Sequence, residues 1–421
     1  MTDHETEEEL VKRFLRYVKV PSQSEANGGT KVPSTESQWD MAHLLQKELA
    51  ELGAEDISLS EYCVLTARLP ANLPAGAPPA PAVGFCAHMD TVDVSLSPVV
   101  KPRRLHYEGG DIVLNERKNI VMRAAEHPEL APYVGQEIIV TDGTSVLGAD
   151  NKAAVANVMT ALATLAGDPA IPHGDLYVAF VPDEECGLWG SKNMDFSKFP
   201  VDYAYTIDCC ALGEVVYETF NAGSATVTIQ GVSAHPMSAK GVLVNPTLLA
   251  VDFVNLFDRR ETPECTEGTE GYIWCQTIRS NPTTATVELN IRDHDKTRYE
   301  ERKRLIVANV EKLRQMEPRC RVECRMEDTY GNIADAVTDD NRQAIDHIYE
   351  AMRRLGITPK TIAMRGGTDG SFISTKGILT PNYFTGGLNF HSNCEFLPIP
   401  SLRKSYELTM ALIALAYEKA Q

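Results

Sequence analysis

Three short apolar runs constrain this chain most: VGFCA at 83–87, LYVAFV at 176–181 and YAYTI at 203–207. Each is bounded by turn chemistry and carries almost no charge, as a strand buried on both faces must. A helical pattern beginning near Asn151 separates the first two. Buried strands alternating with helices predict an α/β fold, a mixed, mostly parallel sheet flanked by helices. Helical spacing of Leu10, Val11, Phe14, Leu15 and Val18 predicts a first helix. A second is expected after Thr35, with Gln38 at the capping-box position, an apolar face of Trp39, Leu45, Leu49 and Leu52, and a stop at Gly53. The uncharged, Pro- and Ala-rich stretch 71–82 reads as a surface loop.

The pattern changes near Asn221. ATVTIQGVSAH and ATVELNIRD (285–293) alternate apolar and polar residues, which suits a sheet with one wet face. Helices are expected at about 246–260 and 296–316, then a strand in RVECRME. The domain reading is therefore a discontinuous catalytic domain, 1–219 and 332–421, with an inserted α+β domain at 220–331. A final helix is expected near 401–419.

Bulk chemistry excludes some classes of function. With 58 acidic and 40 basic residues the net charge is −18, which disfavours nucleic acid and anionic membrane as partners. No apolar run approaches the roughly 20 residues needed to span a bilayer. The opening MTDHETEEEL does not read as a secretory signal, and ten scattered cysteines read as reduced thiols. The expectation is a cytoplasmic protein.

Five segments carry the residue types of catalysis: AHMD at 87–90, GADNKAA at 148–154, VPDEEC at 181–186, YTID at 205–208 and FHSN at 390–393. They follow apolar runs or open loops, where open α/β sheets bind ligands. They supply His88, Asp90, Asp150, Glu184, Glu185, Asp208 and His391. Imidazole and carboxylate are the ligands of catalytic zinc. Two zinc ions roughly 3.5–4 Å apart need a bridging carboxylate. Asp150, leaving a strand-like run at the head of a helix, is the natural bridge. Glu184 and Glu185 are adjacent on an extended segment and point opposite ways, so one can bind metal while the other serves as general base. Asp90 can return beside His88 and hold its second ring nitrogen. Singly these signals are weak, since a lone HxD is common and an EE pair is usually a solvated surface. Their joint order carries the argument.

In that order the chain resembles the peptidase T family, tripeptide aminopeptidases related to aminoacylases, two-zinc carboxypeptidases and succinyl-diaminopimelate desuccinylase. The match runs nearly end to end, through RFLRYVKV, PSTESQW, GEVVYETFNA, SAHPMSAKGVLVN, IRD, RGGTDGS and PNYFTGGLNFH. The resemblance implies two Zn2+ per subunit, with Co2+ or Mn2+ as substitutes. One ion would be held by His88, Asp150 and Asp208, the other by Asp150, Glu185 and His391. It makes Glu184 the base, Asp90 the residue that orients His88, and the peptide after Asp150 cis. It implies a homodimer assembled through the insert, with His235 reaching the partner's active site to stabilise the oxyanion. Arg292 and Arg365 become forks for the C-terminal carboxylate of a short peptide, mainly a tripeptide. Alternatives are a dipeptidase or N-acyl amino acid deacylase of the same chemistry, or a peptide-binding protein without catalysis. Cys209 and Cys210 depart from the small residues expected beside Asp208 and read as packing residues.

Overall fold

The computed structural model describes residues 3–25 and 31–421. They pack into two units. The first comprises 1–217, 337–362 and 368–421; the second comprises 218–336 and 363–367. The second unit thus takes in 218–219, 332–336 and 363–367 beyond the continuous 220–331 stretch read from the pattern.

The first unit is built on an eight-stranded sheet. Its order is Glu55–Leu59, Leu65–Leu69, Leu176–Val181, Val83–His88, Tyr203–Cys209, Asn382–Phe384, Glu214–Thr219 and Lys360–Met364. The four central strands run parallel, whereas the pairings that flank them are antiparallel. The sheet is therefore mixed, and the expectation of a mostly parallel sheet holds for its centre. The three apolar runs lie side by side there because only strands covered on both faces can bury every residue, as Val83–His88 does. The long helix Ala149–Gly167 packs on the strands Val83–His88 and Tyr203–Cys209 and against the C-terminal helix Ile399–Glu418.

The helix Ser37–Glu51 ends before Gly53, whose φ of +80° suits a residue without a Cβ. Its face is rotated from the expected one. Met41, Ala42, Leu45 and Leu49 are buried, while Trp39 and Leu52 are only half-buried. Its first turn has no side-chain cap. Gln38 instead reaches Asp183.

The second unit is a four-stranded antiparallel sheet, Tyr272–Ser280, Thr284–Asp293, Asn221–Gln230 and Arg321–Tyr330 in spatial order. Alternation places Ala225, Val227, Ile229, Val287, Leu289 and Ile291 in its core. The helices Pro246–Val254 and Lys296–Met316 cover them with Phe253, Ile306, Val310 and Leu313. The first of these stops short of the expected 260. Asn255 ends it, and Phe257 packs on the core from outside the helix.

Candidate metal centre

Parallel pairing brings the site together. Val83 pairs with Tyr203 and His88 with Val181, so three neighbouring strands end in one row. His88 is the last residue of its strand, Asp208 lies at the end of the next, and Glu184 and Glu185 occupy the turn after Val181. Asp150 joins them from the head of helix Ala149–Gly167, where Asp150 and Asn151 leave helical geometry and their shared peptide is cis. His391 arrives on the loop after Asn382–Phe384 with a φ of +60°. Asp183, Leu188 and Asn389 share that left-handed conformation, a concentration typical of functional turns.

The two oxygens of Asp150 face different imidazoles. Oδ1 is 3.0 Å from His88 Nε2 and Oδ2 is 3.0 Å from His391 Nε2. On the first side Asp208 Oδ1 lies 3.8 Å from His88 Nε2. On the second, Glu185 Oε1 lies 3.0 Å from His391 Nε2 yet has no hydrogen-bond partner. The separation is that of a bond, but the direction is not. Glu185 Oε1, close to His391 Nε2 but not directed at it, fits a cation between the two. Facing atoms of His88, Asp150 and Glu185 all lie within 4.8 Å of one another. The residues present therefore fit two divalent ions sharing Asp150.

Charge is concentrated here on side chains that are largely buried, except for the exposed His391. Burial opposes charge on His88, but Asp150, Asp208 and Asp90 carry its pKa well above the ordinary value. Asp150 and Glu185 raise His391 to about 10. Burial leads the upward shift of the Glu185 and Asp208 carboxyls, and nearby Asp150 adds to both. Glu184 is pushed well above its ordinary value, chiefly by burial. A raised carboxyl beside the ligand cluster is what a proton shuttle needs.

Asp90 does more than hold the imidazole. His88 Nδ1 bonds the Asp90 main-chain carbonyl at 3.1 Å and lies 3.2 Å from Asp90 Oδ1, which accepts from the backbone N–H of Glu184 at 3.1 Å, while Oδ2 accepts from that of Glu185 at 3.2 Å. One fully buried residue thus holds a histidine, through its carbonyl, and the turn bearing both glutamates, through its carboxylate.

A model of peptidase family M20/M25/M40 matches residues 142–415. A peptidase T-like protein of Yersinia pestis is 53% identical over 413 residues, 98% of each chain. Peptidase T of an Exiguobacterium species is 41% identical over 413 residues, 98% of this chain and 99% of that one. The chain belongs to peptidase family M20. Among solved structures, aminopeptidase PepT of Bacillus cereus superposes with a TM-score of 0.74 at 21% identity, covering 97% of this chain and 98% of that one. A dinuclear metal-binding M20 peptidase of Bacillus subtilis gives 0.65 at 13% identity, covering 99% of each. At such identities the likeness carries the fold. This M20 chain is a metallo-aminopeptidase by its full-length relationship to the peptidase T group.

The remaining residues singled out from sequence lie in the second unit. His235 is exposed, and its Nδ1 accepts from the backbone N–H of Met237. Arg292 donates to the carbonyls of Gly223 and Ile291 and lies over the Tyr330 ring. Arg365 donates to the carbonyls of Gly268 and Glu270 and to Thr266 Oγ1.

Several residues of this M20 centre escaped the sequence reading. Asp183 accepts from Ser34 and Gln38 and so holds the glutamate turn from behind. Asn382 accepts from the backbone N–H of Asp208 at 2.7 Å. Asp369 is buried, with Oδ1 unpartnered, and burial pushes its carboxyl up to about 7. Lys152 is buried with Nζ on the Val20 carbonyl, and burial brings it down to about 7. Glu395 accepts from the turn that carries Asp150. Cys209 and Cys210 are free thiols that burial pushes up, which suits packing residues. Among the described residues no helix is long and apolar enough to cross a membrane.

Proposed function

We propose that this chain removes the N-terminal residue of tripeptides, using two Zn2+ ions held by His88, Asp150 and Asp208 and by Asp150, Glu185 and His391. The observation that carries the reading is Asp150, whose two oxygens face two histidines 3.0 Å away on opposite sides. When bound, such ions supply an acidified water and positive charge for the scissile carbonyl oxygen. Nitrogen and carboxylate donors suit zinc, and equally cobalt or manganese.

The chain's own residues divide the work. Glu184 takes the proton of the attacking water and returns it to the departing amine. Its raised carboxyl supports that dual use. Asp90 keeps His88 oriented and the Glu184 turn in place. The peptidase T resemblance gives His235, contributed across a homodimer, the oxyanion role, and gives Arg292 and Arg365 the peptide's carboxylate. A dimer through the second unit is supported by exposed apolar side chains there. Leu248 and Val251 stand three residues apart on helix Pro246–Val254, after Val242 and Leu243.

The test is initial-rate hydrolysis of Met-Gly-Gly, Gly-Gly and acetyl-Met by zinc-loaded protein, with Glu184→Ala beside it. Cleavage of the tripeptide alone, releasing methionine, is expected. The variant should keep its zinc and lose roughly 10²–10⁴ in kcat. Turnover of Gly-Gly or acetyl-Met in place of the tripeptide would assign the same centre to a dipeptidase or a deacylase.

A further inference from the structure

The helix that presents Asp150 starts without a cap of its own. Gly148 stands at its N-cap with a φ of +78° and offers no side chain. The first N–H groups of a helix still need acceptors. Here the acceptor comes from the far end of the chain. Glu395 Oε2 accepts from Leu147 N at 2.6 Å and from Gly148 N at 2.8 Å, and Oε1 accepts from Asp150 N at 3.2 Å. Glu395 is 1% exposed. It stands four residues after His391, and its own N–H bonds the Ser392 carbonyl. A single short segment therefore carries one histidine of the cluster and grips the turn of the carboxylate between both histidines.

We propose that Glu395 is a positioning residue for the dinuclear centre, setting the plane of Asp150 and its registry with His391. The inference rests on the two-ion reading above. Both oxygens of Glu395 meet backbone donors, so the carboxylate cannot turn without losing one side. In Glu395→Gln the amide can keep Leu147 and Gly148 by turning its oxygen to them. Its NH2 then faces the N–H of Asp150, donor against donor, which releases the very residue the two sites share. A partner behind a metal ligand typically changes affinity by about 10–100-fold.

The experiment removes metal with a chelator and titrates zinc back against a chromophoric competitor. It compares wild type, Glu395→Gln, Glu395→Ala and Glu48→Gln, and melts each metal-free protein. Glu48 is buried in a network with Arg13 and Tyr17, and its variant reports the cost of breaking a buried carboxylate elsewhere. Expected are two tight equivalents in wild type and in Glu48→Gln. Glu395→Gln should lose about 10–100-fold in affinity while its metal-free form melts no lower than that of Glu48→Gln, and excess zinc should restore much of its kcat. Wild-type affinity in both Glu395 variants would overturn the proposal, as would a loss that Glu48→Gln matches at an equal fall in melting temperature. A wild type that takes up no zinc would overturn the two-ion reading itself.

Discussion

Asp90 shows how much one side chain can be asked to do. Its carbonyl meets His88 Nδ1, and its carboxylate lies 3.2 Å from the same nitrogen while accepting from two backbone N–H groups, all away from water. Asp90→Asn keeps the size but replaces one acceptor by a donor. We expect zinc affinity to fall about 10–100-fold and kcat to fall with it, read by competitive titration and initial rates. Retention of both would leave Asp90 a packing residue. Removing the group that the arginines would bind tests their role. Charged hydrogen bonds contribute about 1.5–3 kcal/mol. Amidating the C-terminus of Met-Gly-Gly should therefore raise KM roughly 10–100-fold in wild type and much less in Arg292→Ala or Arg365→Ala. Because the Arg365 fork already meets Gly268, Glu270 and Thr266, Arg365→Ala should also destabilise that loop, whereas equal responses to amidation in all three proteins would remove the clamp. The HxD and EE spacings were legible because neighbours in sequence remain neighbours in space. Glu395 was not, since its bonds to 147, 148 and 150 span about 245 residues and no periodicity announces them.

At the scale of elements, strands read from apolar runs came out nearly residue for residue. LYVAFV is the strand Leu176–Val181, and 296–316 is the helix Lys296–Met316. Burial on both faces, or a long charged helical period, leaves few other solutions. Ends and faces were less legible. PSTESQW has the spacing of a capping box, yet Gln38 leaves its helix uncapped and bonds Asp183 through both ends of its amide, Nε2 to Oδ1 at 2.7 Å and Oε1 from N at 3.1 Å. Tertiary demand overrides the local signal because Asp183 is fully buried and left-handed and needs partners on its backbone and side chain alike. Helix Ser37–Glu51 is therefore a brace for the turn of Glu184. Gln38→Ala should cost about 1–3 kcal/mol in urea unfolding, the usual penalty for stranding buried polar groups. It should also lower kcat more than it raises KM, since the base is displaced rather than the substrate. A variant equal to wild type in both measurements would disconnect the helix from the site.

For the whole molecule the metal-free protein is the revealing state. In the metal-free cluster the carboxylates that surround the imidazoles hold protons on the histidines. His391 is carried from 6.5 to about 10, first by Asp150 and then by Glu185. A group whose folded pKa is raised contributes stability that is complete below its unfolded value and disappears as pH rises through its folded one. For His391 that window runs from about 6.5 to about 10. The raised carboxyls of Glu185 and Asp208 act with the same sign, because the folded chain holds their protons longer than the unfolded one. Asp150 is shifted down, so its contribution is already complete and constant across this range. Metal binding needs neutral imidazole and ionised carboxylate. Zinc should therefore expel protons on binding and remove the part of the pH dependence that His391 and Glu185 carry. Lys152, lowered to about 7 by burial, acts with the opposite sign at alkaline pH in both forms. Scanning calorimetry from pH 6 to 10 should therefore show the melting temperature of the zinc-loaded protein rising relative to that of the chelator-treated protein. Titration calorimetry in buffers of different ionisation enthalpy should show protons released. Parallel melting curves, or zinc uptake without proton release at pH 7, would mean that the ions do not sit between His88, Asp150 and His391, and would remove the geometric basis for the two-ion mechanism.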